Sequence, residues 1–151
     1  MSTPPRFTAP DPRDVDARAV RRAFGRAAAA YDEAAALQRE VSARMAQRLD
    51  YVKLAPLLVL DGGCGTGEAT AELAARYPAA RIVALDLALP MVTAARDRAG
   101  QGRSLLRRLL PAGLAGSSGP LCVCGDLNAL PLRGVVFDLV WSNLALQWVN
   151  D

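Results

Sequence analysis

Two acids and three glycines carry the chemistry open to this sequence. Asp61 opens the run Asp61-Gly62-Gly63-Cys64-Gly65-Thr66-Gly67-Glu68, directly after the apolar Leu57-Leu58-Val59-Leu60. An apolar run entering an acid and a glycine-rich turn, with a helical pattern straight after, predicts a buried parallel strand, a tight loop and a helix. Gly63 and Gly65 allow backbone conformations closed to a side chain and leave room for a ligand at the main chain, while Gly67 permits close helix–strand contact. Dinucleotide loops space their glycines G-x-G-x-x-G. Here the third comes a residue sooner, and a carboxylate at the mouth of the turn suits a cationic group better than a pyrophosphate. The second acid, Asp86, ends the apolar run Arg81-Ile82-Val83-Ala84-Leu85, 21 residues beyond Gly65. There a carboxylate can accept from both hydroxyls of an unphosphorylated ribose; capping the next helix is its plainer role.

The elements that must position these acids read in chain order. Residues 1–13 are Pro-rich and aperiodic, a tail. A helix pair is expected over 14–50: Val20, Phe24, Ala27, Ala28 and Tyr31 share one face of the first helix, and Leu37, Val41, Met45 and Leu49 form the stripe of a second over Glu33–Leu49. Pro56 ends the helical region, and the cofactor-binding core is expected over 55–151. After the glycine turn a helix fits Glu68–Tyr77, with Thr70, Leu73, Ala74 and Tyr77 inward and Pro78 as its stop. A further helix fits 90–99, opened by Pro90. Leu105, Leu106, Leu109 and Leu110 with Arg103, Arg107 and Arg108 suggest a short amphipathic helix, then a Gly/Ser-rich loop up to Pro120. Leu121–Cys124 reads as the third strand, Val135–Ser142 as the fourth, and Leu144–Trp148 as the start of another helix. The architecture is therefore α/β, a doubly wound, mostly parallel sheet with an N-terminal helix pair.

Composition narrows the chemistry further. With 52% hydrophobic and 22% charged residues among 151, the chain has enough apolar content for one domain with a core. No apolar run has the length of a membrane span. Asp11, Asp14 and Asp16 near the start argue against a secretory signal or transit peptide. The net charge of +3 rests on 17 arginines and a single lysine, Lys53, which is little support for nucleic-acid binding. Cys64, Cys122 and Cys124 have no CxxC spacing and the chain has no histidine, so no metal site is expected, and a reducing cytoplasm is the simplest setting. Cys122 and Cys124 read as small apolar fillers on one strand face.

Four segments together resemble one family. Asp61-x-Gly63-x-Gly65-x-Gly67 looks like motif I of the class I S-adenosylmethionine-dependent methyltransferases, a Rossmann-like superfamily. Phe24-Gly25-Arg26-Ala27-Ala28-Ala29-Ala30-Tyr31-Asp32 is similar to the F-G-x-A-A-x-x-Y-D signature of malonyl-[acyl-carrier protein] O-methyltransferases of biotin synthesis. Phe137-Asp138-Leu139-Val140-Trp141-Ser142-Asn143-Leu144-Ala145-Leu146-Gln147-Trp148 resembles that family's segment after strand 4, and Gly125-Asp126 belongs to the wider superfamily. The resemblance implies that Asp61 and the turn Gly63-Cys64-Gly65 face the methionine part of S-adenosyl-L-methionine. It implies that Asp86 takes the ribose with Leu87 beside the adenine, and that Asp126 and Leu127 read the adenine edge. Asn143 then lies near the methyl-transfer site and Tyr31 closes the pocket over it. Met91 either pads the adenine or serves the core of its helix. Gly62 stands where the family usually has alanine, and Ala88 where it has a helix-capping serine.

On this resemblance the reaction is methyl transfer to the free carboxylate of a malonyl thioester on an acyl-carrier protein. A carboxylate is already ionised at neutral pH, with a pKa near ~4, so no acid–base catalyst is expected. Arg21, Arg22, Arg26 or the Arg103–Arg108 cluster would meet the acidic carrier. A methyltransferase for another small acid or a quinone, or a non-catalytic cofactor-binding module, are the alternatives; the glycine spacing disfavours a nicotinamide oxidoreductase. The resemblance implies a seven-stranded sheet, on which the sequence would end inside the helix after strand 4, with strands 5–7 expected to be missing.

Overall fold

The computed structural model describes residues 14–101, 119–132 and 137–150. Helices α1 (Ala17–Ala27), α2 (Tyr31–Ala34) and α3 (Ala36–Arg48) precede strand β1 (Leu58–Gly62). Then come α4 (Glu68–Arg76), β2 (Arg81–Asp86), α5 (Leu89–Gln101), β3 (Leu121–Cys124) and β4 (Leu139–Trp141). The tail at 1–13, nearly all of the insertion at 101–120 and Val135-Val136 of the expected fourth strand lie outside the described residues.

All neighbouring strands run parallel, in the order β3-β2-β1-β4. The chain thus winds one way from β1 to β3 and then crosses back to place β4 on the other side of β1. In sheets of this type the carboxyl ends of the strands at such a reversal form the ligand crevice. Val59, Leu60, Ile82, Val83, Ala84 and Leu85 are all buried, as strands covered on both faces require. One face packs Val59, Ile82 and Trp141 against Leu73 of α4 and Ala46 of α3. Leu60, Val83 and Leu85 on the other face pack with Val123 of the neighbouring strand and with Leu127, Leu132 and Phe137. Asp138 secures the amino end of the sheet: its Oδ2 accepts from the amides of Leu57 and Leu58, both at 2.9 Å, and its own amide donates to Leu58 O.

Several expected boundaries are corrected. The second helix is interrupted at Ala35, so Tyr31 opens a separate short helix instead of closing α1; neither Ala30 nor Ala35 offers a side-chain cap. Leu37 faces solvent at 64% exposure, while Met45, Ala46 and Leu49 meet the core. A four-residue step drifts by about 40° on a 3.6-residue helix, so three steps carry Leu37 roughly a third of a turn from Leu49. Cys124 is exposed, at the end of an edge strand, and only Cys122 serves as a filler, beside Ala84 and Ala95. Within the described residues the fourth strand is only Leu139–Trp141. The helix expected from Leu144 is a single 3-10 turn over Leu146–Trp148, because Leu144 takes a left-handed conformation (φ 53°) that a helix cannot contain.

Gly67 has a different neighbour from the one expected. Its φ is +84°, and a Cβ there would stand 2.8 Å from both Cα and Cβ of Ala95, so it brings the turn onto α5, not onto a strand. Gly67→Ala should therefore destabilise the fold by about 2 kcal/mol, from left-handed strain plus overpacking. Urea unfolding checks this: the midpoint falls while the slope stays constant.

Candidate functional site

β1 and β2 bring both sequence-predicted acids to one place. Asp61 pairs in register with Ala84, and alternation puts Asp86 on the same face of the sheet as Ala84. The turn between β1 and α4 has its glycines Gly63, Gly65 and Gly67 at positive φ. Four of its amides are taken up internally: those of Gly63 and Cys64 donate to Leu85 O at 2.8 and 3.0 Å, that of Gly65 to Asp86 Oδ2 at 3.0 Å, and that of Gly67 to Cys64 O at 3.0 Å. A phosphate-binding loop instead points free N–H groups at its anion. This turn is thus a poor phosphate cradle, in keeping with its glycine spacing.

Two adjoining chambers lie over the turn. The first, about 610 Å³ including solvent-open space, is mainly apolar; Asp86, Leu87, Met91, Asp126 and Leu127 line it together with Phe24 and Trp148. The second, about 830 Å³ on the same measure, is more polar and holds Asp61, Cys64, Gln38, Arg39 and Ser42. Tyr31, Gly63, Gly65 and Asn143 belong to both walls. All eleven sequence-predicted site residues thus border one bipartite cleft.

The two acids differ in their surroundings. Asp61 is 1% exposed and its Oδ2 accepts from Thr70 Oγ1 at 2.5 Å. Burial raises its pKa to about 6; the Thr70 hydroxyl opposes that rise and the charge of Asp86 adds to it. Asp86 is less enclosed. Its Oδ1 accepts from the amide of Ala88 at 2.8 Å and its Oδ2 from Gly65, so it orders both the turn and the start of α5. A local turn two residues on and a place in the cleft wall are therefore combined in one residue. Burial also raises the Asp86 pKa, against hydrogen bonds from Ala88, Gly65 and Leu87.

The remaining predicted residues frame these acids. Burial and the charges of Asp86 and Asp32 raise the Tyr31 pKa, so its ring is a neutral phenol. Burial, with Asp61 and Asp86 nearby, pushes the Cys64 thiol well above its usual range and makes it no nucleophile. Met91 is 1% exposed yet reaches the apolar chamber, so it serves core and cleft together. Gly62 suits Leu127, whose Cδ2 would lie 3.0 Å from a Cβ there. Asn143 donates Nδ2 to Gln38 O at 2.8 Å, while its buried Oδ1 has no partner among the described residues.

Sequence reasoning missed the residues that close the cleft. Asp126 Oδ1 accepts from both the amide and the side chain of Asn128, at 2.9 and 2.8 Å, a local turn that the spacing Asp126-x-Asn128 could have signalled. Asn150 joins three segments: its side chain bonds both ways with the backbone of Val15, at 2.8 and 3.1 Å, and its amide donates to Asn128 Oδ1 at 2.8 Å. No local signal predicts contacts so far apart in the chain. Phe24 meets Trp148 edge-on at 5.7 Å and Tyr31 at 6.3 Å, roofing the apolar chamber.

A family model described as a methyltransferase domain matches residues 60–151. Malonyl-[acyl-carrier protein] O-methyltransferase of Methylovorus sp. (strain MP688) is 50% identical over 137 residues, covering 91% of this chain and 43% of that protein. The chain thus spans less than half the length of that relative. Among solved structures, magnesium protoporphyrin IX methyltransferase from Synechocystis PCC 6803 with bound SAM has a TM-score of 0.63 at 21% identity, over 93% of this chain and 67% of that one. That likeness is one of fold. SAM-bound CalS10, an amino pentose methyltransferase from Micromonospora echinaspora, has a TM-score of 0.54 at 27% identity, over 82% and 44% of the two chains.

Proposed function

The chain belongs to the methyltransferase-domain family, and from that premise we propose that its cleft binds S-adenosyl-L-methionine. In the full protein chain the methyl group would pass to the free carboxylate of a malonyl thioester on an acyl-carrier protein. One observation carries the cofactor reading: a buried acid, Asp61, and a half-buried one, Asp86, stand on one sheet face, beside a turn in which four amides are already used internally. Such a cleft favours cations and hydroxyls over phosphate. The residues fit the group. Asn143 Oδ1 is a buried acceptor in the wall shared by both chambers, and a donor such as an ammonium would satisfy it.

In this reading Asp61 and Asn143 hold the ammonium of the methionine part in the polar chamber. Asp86 accepts from the ribose hydroxyls, while Leu87, Met91 and Leu127 flank the adenine and Asp126 accepts from its exocyclic amine. When bound, S-adenosyl-L-methionine supplies a methyl group on a sulfonium, an electrophile that an ionised carboxylate can attack directly. The chain's own residues then need only align the reactants and exclude water, and orientation alone can lower a barrier by roughly 7–11 kcal/mol. The Phe24, Tyr31 and Trp148 rings are placed for that exclusion.

The acceptor reading draws on the relative's name and 50% identity, with the two segments around Tyr31 and Asn143. Arg21, Arg22 and Arg26 are exposed on α1, whose Val20 and Phe24 line the cleft; they would meet an acidic carrier beside its mouth. Arg103, Arg107 and Arg108 lie outside the described residues. No helix among the described residues is long and apolar enough to cross a membrane, and unpaired cysteines suit a reducing cytoplasm. The test is methyl transfer by the full protein chain to malonyl carrier protein, followed by mass spectrometry of the thioester. The expected product is the methyl ester; turnover on free small acids or quinones, with none on the malonyl thioester, would transfer the protein to another acceptor class.

A further inference from the structure

We propose that Asp32 is a positioning residue for cofactor capture, clasping the N-terminal helices onto the glycine turn and so holding Tyr31 as the wall between the two chambers. This rests on the cofactor reading above. Three elements converge on Asp32. From the turn, Thr66 Oγ1 donates to Asp32 Oδ1 at 2.5 Å. From α5, the Arg98 guanidinium pairs with the other carboxylate oxygen, while its Nε donates to Thr66 O at 2.9 Å. From α3, the Arg39 guanidinium donates to the main-chain carbonyl of Asp32.

The clasp acts on the cleft through its neighbours. Tyr31 precedes Asp32, and its Cε1 lies 3.7 Å from where a Gly65 Cβ would be. Gly65 in turn donates to Asp86, so the turn is gripped by Asp86 on one side and by Asp32 and Arg98 on the other. Phe24 packs tilted against Tyr31 and edge-on against Trp148. Asp32→Asn keeps an acceptor for the Thr66 hydroxyl but sets an NH2 group against the Arg98 guanidinium, so α2 loses its tie to α5, while Thr66→Val removes the tie from α2 to the turn.

A ligand that binds only the clasped form is weakened in proportion to the fraction of molecules left clasped. Cofactor leaving from beneath the Tyr31 ring must wait for the clasp to open. Once the loaded cleft is closed, alignment at the reacting atoms is unchanged. Loss of the clasp therefore raises the off-rate and KM for cofactor but spares kcat.

The test uses the full protein chain and stopped-flow release of S-adenosylhomocysteine, read by the fluorescence of Trp148 at the cleft roof. Asp32→Asn and Thr66→Val should each release ligand roughly tenfold faster and raise KM for S-adenosylmethionine by a similar factor, with kcat within about twofold. Thr66→Ser, which keeps the hydroxyl, should behave as wild type. Should Asp32→Asn fail to fold, Arg98→Gln reads the same clasp from α5. Unchanged release from these variants, equal damage from Thr66→Ser and Thr66→Val, or a fall in kcat at constant KM would overturn the assignment. Wild type that fails to bind S-adenosylhomocysteine would instead refute the cofactor reading itself.

Discussion

Asp86→Ala is expected to weaken S-adenosylhomocysteine binding at least a hundredfold while the protein remains folded. The residue has two occupations. Its oxygens order the protein by accepting from the amides of Gly65 and Ala88, and the residue also lines the apolar chamber. Hydrogen bonds to a charged group contribute about 1.5–3 kcal/mol each, so losing two ribose hydroxyl bonds costs at least two orders of magnitude in affinity. Two backbone amides also lose their acceptor, which loosens the turn. Calorimetric titration with thermal melts on the same samples separates the effects: affinity falls far more than the melting temperature explains. Binding within threefold of wild type would remove Asp86 from the ribose site and leave it only as the acceptor that orders the glycine turn and the approach to α5.

How much of this was legible in the sequence depends on whether a signal was local. β2 and β3 are read to the residue because apolar runs between Pro78 and Asp86, and between Pro120 and Gly125, have punctuated ends. α4 is read within one residue because a glycine precedes it and a proline follows. The acids were legible as strand-end carboxylates beside glycines. What escaped depends on distance in the chain. Ala35 interrupts a helical pattern with no proline or glycine to mark it, and α2 is held by Arg39, Thr66 and Arg98. The segment after β4 looks helical, yet it turns at Leu144 so that Ala145 sits where a Cβ on Gly63 would lie only 2.2 Å away, and Trp148 meets Phe24. These are tertiary contacts overriding local propensity.

Asp61 should make wild type less stable near neutral pH than a variant that cannot ionise there. Its pKa is raised from 3.8 to about 6, chiefly by burial. Between about pH 4 and 6 the folded protein keeps a proton that the unfolded chain has released, so stability falls as pH rises through that window and levels off above it. At 1.36 kcal/mol per unit, the loss is up to about 3 kcal/mol. Asp61→Asn keeps an acceptor for the Thr70 hydroxyl and carries no charge. It should therefore be more stable than wild type at pH 7.5, with the gain vanishing near pH 4. Urea titrations of both proteins across that range measure the difference, and because burial also raises the pKa of Asp86, the comparison with wild type isolates Asp61. The same carboxylate must be ionised to meet an ammonium, so wild-type cofactor affinity should fall toward tenfold per unit below about pH 6. Asp61→Asn should bind weakly at every pH, with a shallower slope. A variant both destabilised at pH 7.5 and unimpaired in binding would show the acid to be a structural partner of Thr70. The expected opposite result, a firmer fold with a poorer cleft, follows from keeping a charge buried where only a cationic ligand can neutralise it.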